Sequence, residues 1–227
     1  MLSVSRPCLT RLLSRLGPTV TGRWSHGSAG VDGGVYELRV YSVKPDMFAT
    51  FSKLMAAKFH LRLAYTKPLG YWLSDLGGIF QAVHIWPYDS VSDRAKVRGA
   101  MAQDKVWQDE FFSSFLSCVD RLDNSLMVTA PGSAICTEFS PSPTAVYELW
   151  SLPVSDADDV TALTESPDET LVGRFRTVYG DTGTEYRLMR YPDADTAFTH
   201  ARDRAGKTKK VRGYSRFMVP HDCSPIK

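Results

Sequence analysis

Val35-Tyr36-Glu37-Leu38 and Val146-Tyr147-Glu148-Leu149 are the same four residues, 111 positions apart. The match continues downstream at a second spacing. Gly70, Gly77 and Tyr88 recur 103 positions on, as Gly173, Gly180 and Tyr191. Each copy therefore opens on a Val-Tyr-Glu-Leu strand and later carries a Gly-x6-Gly hairpin signal. A turn follows in each, Tyr88-Asp89 in one and Tyr191-Pro192-Asp193 in the other. Between strand and hairpin the second copy is 8 residues shorter. Repetition on this scale marks a duplicated unit. A chain of 227 residues has room for two units of about 100 residues each.

Within the first copy, Val35–Val43 alternates and reads as a strand. Lys44-Pro45-Asp46 predicts the start of a helix that runs to about Tyr65, with Phe48, Phe51, Met55 and Phe59 as its apolar stripe. Gly70–Ser74 and Phe80–Trp86 flank the turn Asp75-Leu76-Gly77-Gly78 and read as an antiparallel hairpin. Ser92–Ala102 is a second helix, Trp107–Val119 a third amphipathic stretch, and Ser125–Thr129 a closing strand. The order β-α-β-β-α-β is ferredoxin-like. Such a sheet carries helices on one face only, so its bare face needs a cover, which a second copy can supply. The expected fold is α+β: tandem ferredoxin-like repeats forming a pseudo-dimeric α+β barrel. The first repeat is expected at 31–130, a Pro- and Gly-containing linker at 131–144, and the second, shortened repeat at 145–227.

Residues 1–30 read differently. Leu9, Leu12, Leu13 and Leu16 share a helical face, while Arg11 and Arg15 lie on another. Acids are absent before Asp32, and serines and threonines recur. This is the pattern of a mitochondrial presequence, not of a secretory signal with its unbroken apolar core. Four of the 27 basic residues (Arg6, Arg11, Arg15 and Arg23) lie in this segment, leaving 23 against 25 acids. The body is thus near neutral, with no broad footprint for nucleic acid. No apolar run approaches the roughly 18 residues of a membrane helix. The four cysteines show no C-x-x-C spacing, which argues against a zinc site or a disulfide framework. No motif calls for a cofactor or a metal, and no phosphate loop or nucleophile elbow is present.

Alternation divides the first strand into two faces. Tyr36, Leu38 and Val40 share one, expected against the helices. Glu37, Arg39 and Tyr41 share the other, expected between the two sheets. His84 and Trp86 should join this inward set, leaving Val83 and Ile85 to the helices. Glu37 and Arg39 lie about 7 Å apart along a strand, so partners are expected from across the interface. The candidate cavity set is Glu37, Arg39, Tyr41, His60, Trp72, His84 and Trp86. A carboxylate, a guanidinium and an imidazole together suit binding of a small acid or acid–base chemistry, or equally a satisfied polar interface. His60 near the end of the first helix is a candidate haem ligand. The matching positions in the second copy are Glu148, Trp150, Arg187 and Met189.

Val-Tyr-Glu-Leu-Arg-Val-Tyr-x-Val-Lys-Pro (35–45), Gly70-Tyr71-Trp72, Val83-His84-Ile85-Trp86-Pro87-Tyr88-Asp89, Trp107-Gln108 and the ending Ser224-Pro225-Ile226-Lys227 resemble the NipSnap family, its third subgroup most closely. The resemblance covers about residues 35–227 and implies the dimeric α+β barrel superfamily. It also implies a mitochondrial protein, matrix or membrane-associated with a cytosolic fraction, acting as a non-enzymatic adaptor in mitophagy and vesicular trafficking. The implied partners are autophagy or trafficking proteins and further family members as homo- or hetero-oligomers. The alternative is a small-molecule or haem-binding barrel resembling cofactor-independent monooxygenases. The family supplies no established catalytic residues.

Overall fold

A computed structural model describes residues 34–140, 142–157, 168–207 and 213–227. The presequence reading of residues 1–30 lies outside the described residues. Eight strands form one closed barrel, and each half repeats the same strand order. The first half contains β1 (Val35–Val43), β2 (Gly70–Leu76), β3 (Gln81–Tyr88) and β4 (Val119–Thr129). The second contains β5 (Val146–Pro153), β6 (Thr170–Tyr179), β7 (Thr184–Tyr191) and β8 (Tyr214–Pro220). In the first half β1 lies between β3 and β4, and in the second β5 lies between β7 and β8. The halves are joined by antiparallel pairing of β2 with β8 and of β4 with β6. Closure leaves no sheet edge unpaired.

The helices follow from local signals. A short 3-10 turn at Pro45–Met47 leads into α1 (Phe48–Leu63), proline sitting where the first helical N–H has no partner anyway. Ser90 caps α2 (Val91–Gln103) by accepting from the Asp93 amide at 3.0 Å. Asp104 then caps α3 (Lys105–Trp107), which passes through a π-helical turn (Gln108–Phe112) into α4 (Ser113–Cys118). In the second half, α5 (Ala194–Lys207) packs on β5 and β7.

One expectation about the sheet is reversed. Leu38, Val40, Val83 and Ile85 do not face the helices. They fill the barrel interior with Trp72, Met127, Tyr147, Leu149, Phe175, Leu188 and Met218, drawn from both halves. The opposite face of the first half packs on α1, α3 and α4 through Phe51, Met55, Phe59, Tyr71, Trp86, Trp107, Phe111 and Phe115. The physical reason is that the barrel interior around these positions is lined by apolar side chains from both halves. A carboxylate turned into it would lose the arginines that α2 supplies on the helix side. The closing strand also begins earlier than expected. Asp120–Asn124 belongs to β4 and pairs with β1, with Leu122 opposite Tyr41 and Asn124 opposite Arg39. This polar stretch shows no alternation that would mark it as strand. It is held by the β1 backbone, whose N–H and C=O groups need a partner on that side.

Candidate functional site

Four strands place one row of side chains side by side on the helix-facing surface of the first sheet. Tyr71 on β2 lies opposite His84 on β3, His84 opposite Arg39 on β1, and Arg39 opposite Asn124 on β4. Glu37 and Trp86 form the next opposed pair. Above this row α1 contributes Met55, Phe59 and Arg62, at helical spacing on one face, and the α3–α4 segment contributes Trp107, Phe111, Phe112 and Phe115. Between sheet and helices they leave a cavity of about 200 Å³, with Arg98 and Met101 of α2 also on its wall. The π-helical turn lies in this wall, and Trp107 stacks on Phe111 with ring centroids 4.6 Å apart. Single π turns of this kind recur at functional sites.

Glu37, fully buried, organises the charges beside the cavity. It accepts from Arg94 at 2.5 Å, Asn124 at 2.9 Å and Arg39 at 3.2 Å, and from the Tyr88 hydroxyl at 3.5 Å. Arg98 stands 3.7 Å away. Arg94 and Arg98 are four apart on α2 and so project from one side of that helix. Burial works against the Glu37 charge, but the Arg94 hydrogen bond, the Arg39 charge and Asn124 outweigh it, and the pKa falls from 4.5 to about 2. Glu37 and Arg39 thus pair directly, where partners from across the interface were expected. Long side chains on one face of a strand lean together, and the further partners come from α2 and β4 instead of from across the barrel.

Arg39 also donates to Tyr41 at 2.7 Å. Arg62 donates to Tyr88 at 3.2 Å, and its guanidinium lies 3.7 Å from the centre of the Trp86 ring. Burial pulls the Arg62 pKa down to about 10. His84 is stacked on Tyr71 at 4.7 Å and meets Tyr41 edge-on at 4.6 Å. Burial, reinforced by the Arg39 and Arg62 charges, holds its pKa well below 6.5, so the imidazole is neutral. The indole N–H of Trp86 donates to His84 Nδ1. That nitrogen is then unprotonated, and the ring proton sits on Nε2.

Of the seven candidates drawn from the sequence, Arg39, Tyr41, His84 and Trp86 line this cavity, and Glu37 stands behind it as the anchor of Arg39. The cavity lies between the first sheet and its own helices, not between the two sheets. Trp72 faces the other way, fully buried in the barrel interior with its ring 5.3 Å from Tyr147. His60 is exposed on the outer side of α1 and is not available as a haem ligand inside the cavity. Arg62, Tyr71 and the Trp107–Phe115 aromatics were not on the sequence list. A signal for Arg62 existed: it continues the Phe51, Met55, Phe59 stripe by three residues, an arginine on an otherwise apolar face.

The second repeat keeps the anchor and fills the rest differently. Glu148 accepts from Arg204 and, at 3.2 Å, from Tyr191, as Glu37 does from Arg94 and Tyr88. Trp150 stands in the place of Arg39 and Arg187 in that of His84, opposed in the same register. Arg204 covers the Trp150 ring at 3.9 Å, while Arg187 pairs with Glu185 at 3.0 Å and donates to the Ala157 carbonyl.

The architecture defines a class, the α+β barrel in which two ferredoxin-like halves close one sheet, here within a single chain. The NIPSNAP family model matches residues 36–134, most of the first repeat. Human NipSnap homolog 3A is 31% identical over 248 residues, 99% of each chain. Mouse NipSnap homolog 3B is 30% identical over 250 residues, the whole of both. The protein belongs to the NipSnap family. Among solved structures, a candidate monooxygenase of Fusobacterium nucleatum matches with a TM-score of 0.61, covering 83% of this chain and 93% of that one at 9% identity. At that identity the likeness is one of fold.

Proposed function

We propose that this NipSnap-family protein binds a small, largely aromatic molecule between the sheet and the helices of its first repeat. The observation that carries this is the cavity itself, walled by Trp86, Trp107, Phe111 and Phe115 and floored by polar side chains on three strands. Apolar walls with a few convergent polar groups are the usual make-up of small-molecule sites. A ligand-observed NMR screen of aromatic fragments against the full chain tests it. Hits should disappear when Ala102→Trp fills the cavity from the α2 side. A screen without hits, or hits indifferent to that substitution, would sink the reading.

The adaptor role implied by the family resemblance is a second reading, with its own supporting observation. Leu76 and Ile79 at the tip of the β2–β3 hairpin are 64% and 67% exposed, and the nearby Tyr214 donates to the Gly77 carbonyl. An exposed apolar tip of this kind suits docking of another protein. On this reading the protein acts at mitochondria and recruits autophagy or trafficking proteins. Proximity labelling in cells, with and without depolarised mitochondria, should recover such partners, and Leu76→Asp with Ile79→Asp should lose them. Identical labelling by the double variant would count against it. Among the described residues no helix is long and apolar enough to cross a membrane.

A further inference from the structure

The charged groups that line the cavity are cationic, beside the neutral side chains of Tyr41, Tyr71, His84 and Gln108. Arg39, Arg62 and Arg98 line it, with Arg94 behind them, and Glu37 is the carboxylate that Arg39, Arg94 and Arg98 share. Arg62 has no part in that sharing. Its bonded partner is a neutral phenol, and its other contact is the face of an indole. Four buried N–H groups around the cavity find no acceptor among the described residues: Arg39 Nε, Arg62 Nη1, Arg94 Nε and His84 Nε2. Two of these residues are almost wholly enclosed, His84 at 2% and Arg62 at 4% exposure. Native interiors rarely leave buried donors unpaired, and a concentration of them in one place marks a site whose acceptor comes from outside.

The fixed tautomer of His84 matters to this count. With Nδ1 engaged by the Trp86 N–H, the imidazole turns an N–H, not a lone pair, away from its indole partner. A ligand that offers only donors would leave these four N–H groups unpaired. One with a negative oxygen pair would meet both a planar guanidinium, suited to bidentate contact, and an imidazole N–H.

We propose that the cavity selects a small planar organic acid, an aryl or arylalkyl monocarboxylate, whose carboxylate is received by Arg62, Arg39 and His84 and whose ring lies against Trp107, Phe111 and Phe115. This inference rests on the ligand-site reading above and gives that site its chemical class. A cavity of about 200 Å³ holds a single ring with a short acid arm, since an apolar cavity of about 150 Å³ takes up benzene. Among the described residues the second repeat offers no equivalent set. The positions of Arg39 and His84 are occupied there by Trp150 and by an Arg187 already paired with Glu185.

Calorimetric titration of the full chain with phenylacetate and 3-phenylpropionate, each against its amide, tests the inference. The amide keeps shape and size and removes the charge. The acids should bind at least about ten-fold tighter than the amides at pH 7. Arg62→Met should bring the two within about two-fold. Should that variant not fold, the wild-type His84 Nε2–H resonance gives the same information, because it should shift with the acid and not with the amide. Equal affinity for acid and amide in the wild type, or an unmoved His84 resonance at saturation with acid, overturns the inference and leaves the ligand site standing. Binding of neither compound overturns the inference, and the fragment screen then decides whether the site reading falls with it.

Discussion

Glu37→Gln tests how far one buried carboxylate holds the first repeat together. The substitution keeps shape and hydrogen-bonding reach but removes the charge that Arg39, Arg94 and Arg98 share. In the native state the Glu37 pKa lies at about 2, against 4.5 for a free side chain. At about 1.4 kcal/mol per pH unit, that difference is worth about 3 kcal/mol of folding free energy. The sign follows from the direction of the shift. A depressed carboxylate contributes its stability in full above pH 4.5 and loses it as pH falls toward 2. Glu37→Gln is therefore expected to be less stable than wild type by about 3 kcal/mol at pH 7, the range seen when one member of a buried pair is removed. The gap should narrow steadily below pH 4.5. The assay is urea unfolding followed by fluorescence at several pH values between 7 and 2.5. Two stability curves that run parallel down to pH 2.5 would refute the reasoning, since the variant's deficit would then not depend on the ionisation of Glu37. So would a deficit at pH 7 within about 0.5 kcal/mol, the size of an ordinary surface substitution.

Further outcomes follow from the same geometry. Gly70→Ala should destabilise by about 1–3 kcal/mol in thermal or urea unfolding, because a Cβ at that position would come within 2.2 Å of the Trp72 ring, which is locked in the barrel interior. His60→Ala should leave both the melting temperature and fragment binding unchanged, because the imidazole is exposed on the outer side of α1; loss of binding would place the site elsewhere. Burial pushes the Cys223 thiol up to about 12, so at pH 8 it should alkylate with iodoacetamide far more slowly than a free cysteine, as read by peptide mass spectrometry.

Much of the fold was legible because its signals are local. The paired Val-Tyr-Glu-Leu segments do open the two halves as β1 and β5, and Gly77 and Gly180 do sit at hairpin turns with positive φ, where a side chain is strained. Elements that depend on a neighbour were less legible. Asp120–Asn124 lacks any strand pattern and is a strand because β1 lies alongside it. The π-helical turn at Gln108–Phe112 has no sequence signature, and it shapes the cavity wall.

The candidate site divides along the same line. Alternation alone grouped Glu37, Arg39 and Tyr41 on one face and Leu38 and Val40 on the other, and that grouping is what the strand displays. Which face turned inward was beyond it. Both faces of this sheet are buried, one by the second repeat and one by helices, so polarity no longer points toward water. The tertiary structure decided the matter by what each cover could offer. The opposite sheet brings no group there that pairs a carboxylate, only Leu149, Met218 and the ring of Tyr147, whereas α2 brings Arg94 and Arg98 to a buried Glu37. Duplication, element order and the shared faces were thus set by the chain locally. The cavity arose from long-range packing, which put Arg62 over Trp86 and left His84 holding out a proton.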